Sequence, residues 1–556
     1  MGRLCRWAGG GTGRVGRTIT GWFLLVSAVM LTQAVTMWPA VAQDTPAPSV
    51  AASNTILAWG SNFFGELGNG TTTNSSTPVA VSLPADATAV AVAAGDAHSV
   101  ALTATGTVLA WGDNSRGQLG DGTGADSLTP VAVTLPAGVA VSAVAAGRQH
   151  SVALTSAGTV LAWGENSFGQ LGDGTLADRS TPVAVALPPS TTVTAVAAGA
   201  THSVALTSTG TALAWGGNPF GQLGDGTLAD RSTPVAVALP PSTTVTAVAA
   251  GGTHSMALTS TGTALAWGGN FFGQLGDGTA TNRSTPVTVS LPAGATVSAV
   301  AAGRIHSLAL TTAGAVLAWG NNVFGQLGDG TNTNSSTPVS VNLPPATTVT
   351  AIAARDSQHS VTMTSAGAVL SWGHNQQGQL GDGTTTDSST PVNVNLPPAT
   401  IITAIAAGDN HSLALTAPPT STTTLQVTPT NPTPDQDITL TATITCNIDT
   451  PTGTITFHTN TTTLATVPLT TSGTATHTTT LPPGTHTLTA HYTSTNTCPN
   501  SQSPPTTVTI AAPPDEPDLP ITGPNLTTTT GTAALSILAG AILSYAARRR
   551  PPHHPE

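Results

Sequence analysis

The chain of 556 residues carries only 14 basic and 25 acidic side chains, against 59 Gly and 42 Pro, and every basic residue is Arg. A composition dominated by Thr, Ala, Val and Gly favours strands and turns and argues against a helical or catalytic α/β architecture. Seven arginines lie near the two ends, so the long stretch between holds the other seven against 24 carboxylates, a net charge near −17 that attracts neither nucleic acid nor an anionic membrane surface.

Residues 1–42 read as a secretory signal: Arg3, Arg6, Arg14 and Arg17 open it, an apolar run extends from Trp22 to about Val35, and Ala40-Val41-Ala42 forms a small-residue cleavage site. The cut falls between Ala42 and Gln43. The apolar run is short of a full membrane span, which favours cleavage over the alternative of a retained anchor. Residues 43–53 are a linker.

From 54 to 417 the chain repeats itself. Trp-Gly recurs at Trp59, Trp111, Trp163, Trp215, Trp267, Trp319 and Trp372, each opening a phrase of the form Trp-Gly-x-Asn-x-x-Gly-Gln-Leu-Gly-Asp-Gly-Thr; the first copy has Glu66 and Asn69 in place of Gln and Asp. A second phrase, Ala-Ala-Gly-x-x-His-Ser, places His98, His150, His202, His254, His306, His359 and His411 in phase, and the sixth copy has Arg355 at the Gly and one extra residue. Each unit contains four short β-rich runs separated by turn residues, the pattern of a radial propeller. The Trp-Gly and Gly-Gln-Leu-Gly phrases resemble the regulator of chromosome condensation repeat family, a resemblance that implies a seven-bladed β-propeller. Trp59 has no His phrase before it and His411 no Trp after it, so the strand at 411–416 is expected to pair with the strand at 54–60 and close the ring.

The repeated chemistry reads as structural. The seven histidines fall one per blade and are expected to hydrogen-bond neighbouring backbone; the Asp of Gly-Asp-Gly is a turn former; and Phe64, Phe168, Phe220, Phe272 and Phe324 share one repeat position as packing residues. An active site needs different groups converging on one point, whereas this sequence offers copies, so no catalytic, cofactor or metal site is assigned. Residues that differ between blades lie in loops, where binding groups reside. Among Asp96, Arg148, Ala200, Gly252, Arg304 and Asp409, and Arg355 beside them, the arginines Arg148, Arg304 and Arg355 are the candidate partner-binding group, a positive island on one rim of an acidic body.

After a linker at 418–423, residues 424–511 read as short Thr- and Val-rich strands. Their phrases "ITLTATI", "PTGTITF" and "LPPGTHTLTAHY" resemble bacterial immunoglobulin-like modules, which implies a β-sandwich. Cys446 and Cys498 are the cysteines left after signal removal, and an exported module with two of them points to a disulfide. Closing a loop of that length contributes roughly 4 kcal/mol on the chain-entropy account.

A linker at 512–518 leads to Leu519-Pro520-Ile521-Thr522-Gly523, a polar spacer, an apolar stretch and Arg548-Arg549-Arg550, all within 519–556. This order resembles the LPXTG cell-wall sorting signal of Gram-positive surface proteins; a plain C-terminal membrane anchor is the alternative. The resemblance implies a membrane-bound sortase-type transpeptidase that cuts between Thr522 and Gly523 and joins Thr522 to peptidoglycan, the membrane being touched only before that cut. The whole is thus expected to be all-β, a propeller followed by a sandwich, extracellular and covalently anchored to the wall. Its expected role is a non-enzymatic binding or adhesion scaffold for a protein or glycan. An inhibitor of a secreted or wall enzyme such as a β-lactamase is the rival, and guanine-nucleotide exchange, from fold analogy alone, stands behind both because export removes the protein from cytosolic GTPases.

Changing Thr522 to Ala is expected to move the protein from the covalent wall fraction to the membrane or the medium, read by blotting after enzymatic wall digestion. Identical release of wild type and variant would remove the sorting assignment.

Overall fold

Gly, Pro, Asn and Asp punctuate each repeat into four β-prone runs, and each run becomes a strand. In one unit these are Ala89–Ala94, His98–Thr103, Val108–Gly112 and Ser127–Ala132, joined in that order into an antiparallel sheet. The computed structural model describes residues 54–512 apart from residue 461, and in it seven such four-stranded sheets precede two further sheets, with no helix among the described residues. The signal segment and its Ala42–Gln43 cut, the first linker, and the sorting segment 519–556 lie outside the described residues.

The closing blade takes strands from both ends of the repeat region. Ser75–Ala80 and Ile56–Gly60 come from the start, His411–Thr416 and Ile402–Ala407 from the end, and Ile56 lies opposite Leu415 and Gly60 opposite His411. The expected closure is therefore present, and it leaves no open sheet edge at the junction. Asn54 completes it. In later blades a glycine carbonyl, such as that of Gly158, accepts the amide of the next blade's innermost strand, Val193; at the start of the ring the Asn54 Oδ1 accepts the Ala89 amide instead, at 2.9 Å.

The core is distributed between blades rather than held at one centre. A typical cluster packs Val100, Val108 and Leu119 of one blade against Val141, Leu161 and Trp163 of the next, all buried. Three hydrogen bonds sit inside each such seam. His98 Nε2 meets Ser151 Oγ of the next blade at 2.9 Å, Ser151 Oγ donates to the Gln118 carbonyl at 2.9 Å, and Trp163 Nε1 donates to that same carbonyl at 2.8 Å. The set recurs at every seam, the last joining His411 to Ser99 and both Ser99 and Trp111 to the Glu66 carbonyl. The histidines thus bond a serine across the seam, not backbone as the sequence implied. Two glycines in each of six repeats, and one in the remaining repeat, are fixed by these rings. A Cβ at Gly120, whose φ is +69°, would lie 2.7 Å from Trp163 Nε1, and one at Gly147 would lie 2.2 Å from His150 Cε1.

The C-terminal module forms one three-stranded sheet and one larger sheet whose inward residues alternate, as in Ile438, Leu440, Ala442 and Ile444 against Leu488, Ala490 and Tyr492. Its first strand, Ser421–Thr428, begins inside the expected linker because the ladder to the next strand continues to Ser421 opposite Cys446. Cys446 and Cys498 are disulfide-bonded, with Cα atoms 6.0 Å apart.

The serine's single hydroxyl proton is committed to the carbonyl, so each imidazole must donate from Nε2, leaving Nδ1 buried without a partner in all seven. Charging the ring would add a buried N–H at Nδ1 with no acceptor, and burial lowers these histidines to about 3, or about 4 for His98. The unfolded chain binds these protons near pH 6.5 and the folded ring does not, so stability is complete above that value and falls as pH drops. Seven such sites give a slope approaching about 9 kcal/mol per pH unit near pH 5. The propeller is expected to lose cooperative melting between pH 6 and 4, as followed by circular dichroism; a melting temperature unchanged at pH 4 would contradict neutral, buried imidazoles.

Candidate binding face at the mouth of the axial channel

Two loops of each blade share one face of the ring. The loop after the Trp-Gly strand is tied to the loop preceding the seam histidine, as when the Asp113 amide donates to the Ala97 carbonyl at 2.8 Å. The repeated polar residues of the longer loop are consumed in holding it. Asn114 Nδ2 donates to Asp121 Oδ1 and to the Thr123 and Ala125 carbonyls, its Oδ1 accepts the Leu119 amide, and Asp121 Oδ1 accepts the Thr123 amide. Among the described residues no three His, Cys, Asp or Glu side chains gather as a metal ion would require.

The shorter loops join into a collar around the axis. The amides of Asp96, Arg148, Ala200, Gly252 and Arg304 each donate to a carbonyl of the following blade's loop, and Asp409 donates to Gly95 across the closure. The sixth repeat carries the irregularity. Ser357, not Arg355, takes the glycine's place there, its carbonyl accepting the Arg304 amide at 2.9 Å. The extra residue throws Arg355 and Asp356 out of the collar toward the axis, with Asp356 at a φ of +39°.

The three predicted arginines are brought to this mouth, but not as a positive island. Arg148 Nε lies 3.3 Å from Asp96 Oδ2 and Arg304 Nη1 lies 3.4 Å from Asp409 Oδ1. Asp356 stands near both, in the fields of Arg304, Asp96 and Arg148. Three carboxyl groups therefore stand among the three guanidinium groups. Sequence reasoning placed Arg148, Arg304 and Arg355 on equivalent loops yet missed their partners, because Asp96 and Asp409 become neighbours only when the ring closes.

Both ion pairs are long and single-point, so each guanidinium keeps most of its donors free. Beside them lies a hollow of about 270 Å³ lined by Phe168, Phe220, Pro219 and Ile305 on its apolar side and by Asp96, Arg148, Arg304 and Asp356 on its charged side. It exists because Ala200 and Gly252 stand where other blades carry charged side chains. The phenylalanines expected as packing residues divide: Phe64, Phe168 and Phe272 are 44%, 40% and 38% exposed, with Phe63 and Phe271 beside them more so, whereas Phe220 and Phe324 are half-buried. Phe220 meets Phe271 edge to face, with ring centroids 5.7 Å apart, and Phe324 lies against His374 at 4.6 Å.

Burial pushes Asp356 up to about 7 against the opposing pull of Arg304, and its Oδ1 has no hydrogen-bond partner. Burial and the adjoining Asp96 carboxylate hold Asp409 well above the usual carboxylate range. A raised folded-state value means that the folded protein keeps a proton the unfolded chain has lost, so stability declines as pH rises toward 7 and the full penalty persists above it. Asp356→Asn is expected to stabilise the propeller at pH 8 by about 1–3 kcal/mol, the scale of an unsatisfied buried polar group, and by less at pH 6. Equal effects at the two pH values in thermal melts would count against a buried, unpaired carboxyl.

Comparison with known proteins gives three family matches: "RCC1-like domain" over residues 48–356, "Regulator of chromosome condensation (RCC1) repeat" over 366–415, and "Bacterial Ig-like domain (group 3)" over 424–511. The chain is similar to the ultraviolet-B receptor UVR8 of Arabidopsis thaliana, 35% identical over 51% of this chain and 64% of the relative. To the E3 ubiquitin-protein ligase HERC2 of Homo sapiens it is 32% identical over 66% of this chain and 8% of that one. It thus spans less than two thirds of these two curated relatives. To the mitochondrial RCC1 domain-containing protein RUG3 of Arabidopsis thaliana it is 31% identical over 61% of this chain and 79% of the relative. Among solved structures, human WBSCR16 superposes with a TM-score of 0.60 at 26% identity, covering 66% of this chain and 99% of that one. Prp20p of Saccharomyces cerevisiae, described with its binding to Gsp1p and histones, gives 0.58 at 25% identity over 66% and 93% of the two chains.

Proposed function

The chain belongs to the RCC1-like domain family, and from that premise we propose that it is a non-enzymatic, wall-anchored surface protein that recognises a protein or glycan through the mouth face of its propeller. The observation that carries the reading is the hollow beside the mouth. It joins exposed phenylalanine to two guanidinium groups with free donors and to a buried, unpartnered carboxyl oxygen, the mixture of apolar anchor and oriented polar groups that binding sites use. Most of what repeats in the sequence is spent on holding blades and loops, and of the residues that vary between blades Asp96, Arg148, Ala200, Gly252, Arg304 and Asp356 line this hollow.

Anchoring is supported by the order of Leu519–Gly523, apolar stretch and triple arginine in the sequence, and export by residues 1–42. The small carbohydrate or peptide groups of a cell-surface environment suit a face with both charge signs and aromatic stacking surface. A second reading, inhibition of a secreted or wall enzyme such as a β-lactamase, draws on the same face: Phe63, Phe271 and Val323 are exposed apolar projections of the kind that fill an enzyme cleft. An assay of the purified protein against β-lactamases and peptidoglycan transpeptidases separates the two, since tight inhibition selects the second.

The face itself is tested by the double change Arg148→Ser and Arg304→Ser, the two arginines that line the hollow, with folding checked by melting. The expected outcome is that host-matrix and whole-cell components retained by the immobilised wild type bind the variant at least about tenfold more weakly, with a reduced salt dependence. Retention within about twofold and an unchanged salt dependence would place the site elsewhere.

A further inference from the structure

The innermost strands enclose an axial cavity of about 240 Å³. Its wall is built from Val92, Val144, Val248, Ile352 and Ile405 and their counterparts, with alanines between, and every lining side chain is Val, Ile or Ala except one. That one is Arg355.

The exception is unusual on three counts. Among the described residues, six of the seven arginines make ion pairs and Arg355 makes none. It stands at this wall because of the extra residue in the sixth repeat; the other six loops, one residue shorter, place nothing charged there. Burial lowers its guanidinium to about 10, with Asp356 the opposing influence. Asp356 exerts the opposing field but makes no ion pair with it, so the paired N–H groups of a guanidinium set among Val, Ile and Ala side chains stay open to an arriving anion. The wall sets the rest of the ligand. Three successive residues of five of the seven innermost strands, such as Val92 to Ala94, line the cavity, a depth of about 10 Å at roughly 3.3 Å per residue, which accommodates an extended chain of about eight carbons.

We propose that the axial cavity binds a single medium-chain aliphatic carboxylate, its head group on the Arg355 guanidinium and its chain along the Val and Ala wall. The binding is non-covalent, and it does not rest on the recognition of a macromolecule at the outer hollow, which uses other walls.

The test is calorimetric titration of the full chain at pH 7.5 with butanoate, hexanoate, octanoate and octan-1-ol. The expected result is one site per chain, affinity rising roughly fourfold per added methylene from butanoate to octanoate, and octan-1-ol at least about tenfold weaker than octanoate for want of the charged head. Arg355→Gln is expected to weaken octanoate by at least about tenfold without lowering the melting temperature. Val248→Phe, which fills the cavity, is expected to abolish binding; should that variant fail to fold, the chain-length series and Arg355→Gln decide the matter. Equal affinity for butanoate and octanoate, octanoate binding indifferent to Arg355→Gln, or no saturable heat would each overturn the proposal.

Discussion

Everything in the ring depends on one carbonyl per blade. Gln118, Gln170 and their counterparts each offer a backbone oxygen to two donors of the next blade, a serine hydroxyl and an indole N–H, while the same blade's imidazole donates to that serine. A backbone oxygen has two lone pairs, and both are used. The shared acceptor fixes how far one blade is rotated from the next, because the two donors come from neighbouring strands of the following sheet. Repeated seven times, that fixed step closes the circle.

The demands of this contact explain why so much of the sequence is invariant within the molecule. Trp, Ser, His and the Gln loop serve the seam directly, and glycines stand where the two rings leave no room for a Cβ. Asn and Asp of the long loop hold the carbonyl in place. With those positions spoken for, individuality is confined to a few loop residues around the axis. The body has few charges, and of the six ion pairs among the described residues two lie in these loops and four in the longer loops and the strands that follow them. Surface ion pairs of this length contribute little to stability, so apolar packing and hydrogen bonding between blades carry the fold.

Much of this was legible from sequence because it is written in the spacing. The count of blades follows from Trp59 to Trp372, and the shared closing blade from the phrases missing at the two ends. What stayed hidden depends on juxtaposition around a circle. His98 lies beside Ser99 in the chain, yet bonds Ser151; the pairing crosses a seam and leaves no local trace. Arg304 and Asp409 meet although 105 residues apart, which turned a supposed cluster of positive charge into one of mixed groups. The inserted residue before His359 was visible, but not that it would carry a guanidinium to the axis while Ser357 filled the vacated role. The phenylalanine position looked like packing because it recurs, yet only Phe220 and Phe324 are half-buried there while Phe64, Phe168 and Phe272 are exposed. The early start of the C-terminal module's first strand, at Ser421, was masked by a Thr-rich tract whose composition is the same inside and outside the ladder.

The closing blade also sets an order of events during synthesis. Thr55 and Thr416, which share a hydrogen bond at the junction, are separated by 361 residues. At ordinary elongation speeds the first strand leaves the ribosome about 20–70 s before its partner exists. Until then Ile56–Gly60, apolar along its whole length, has one side of its backbone ladder unfilled, and the complete ring is reached only after the seventh histidine phrase has been made. The molecule is thus latched by its last-made strand, and its vulnerability to proteases and to pairing with other chains is concentrated in that waiting interval rather than in the finished ring.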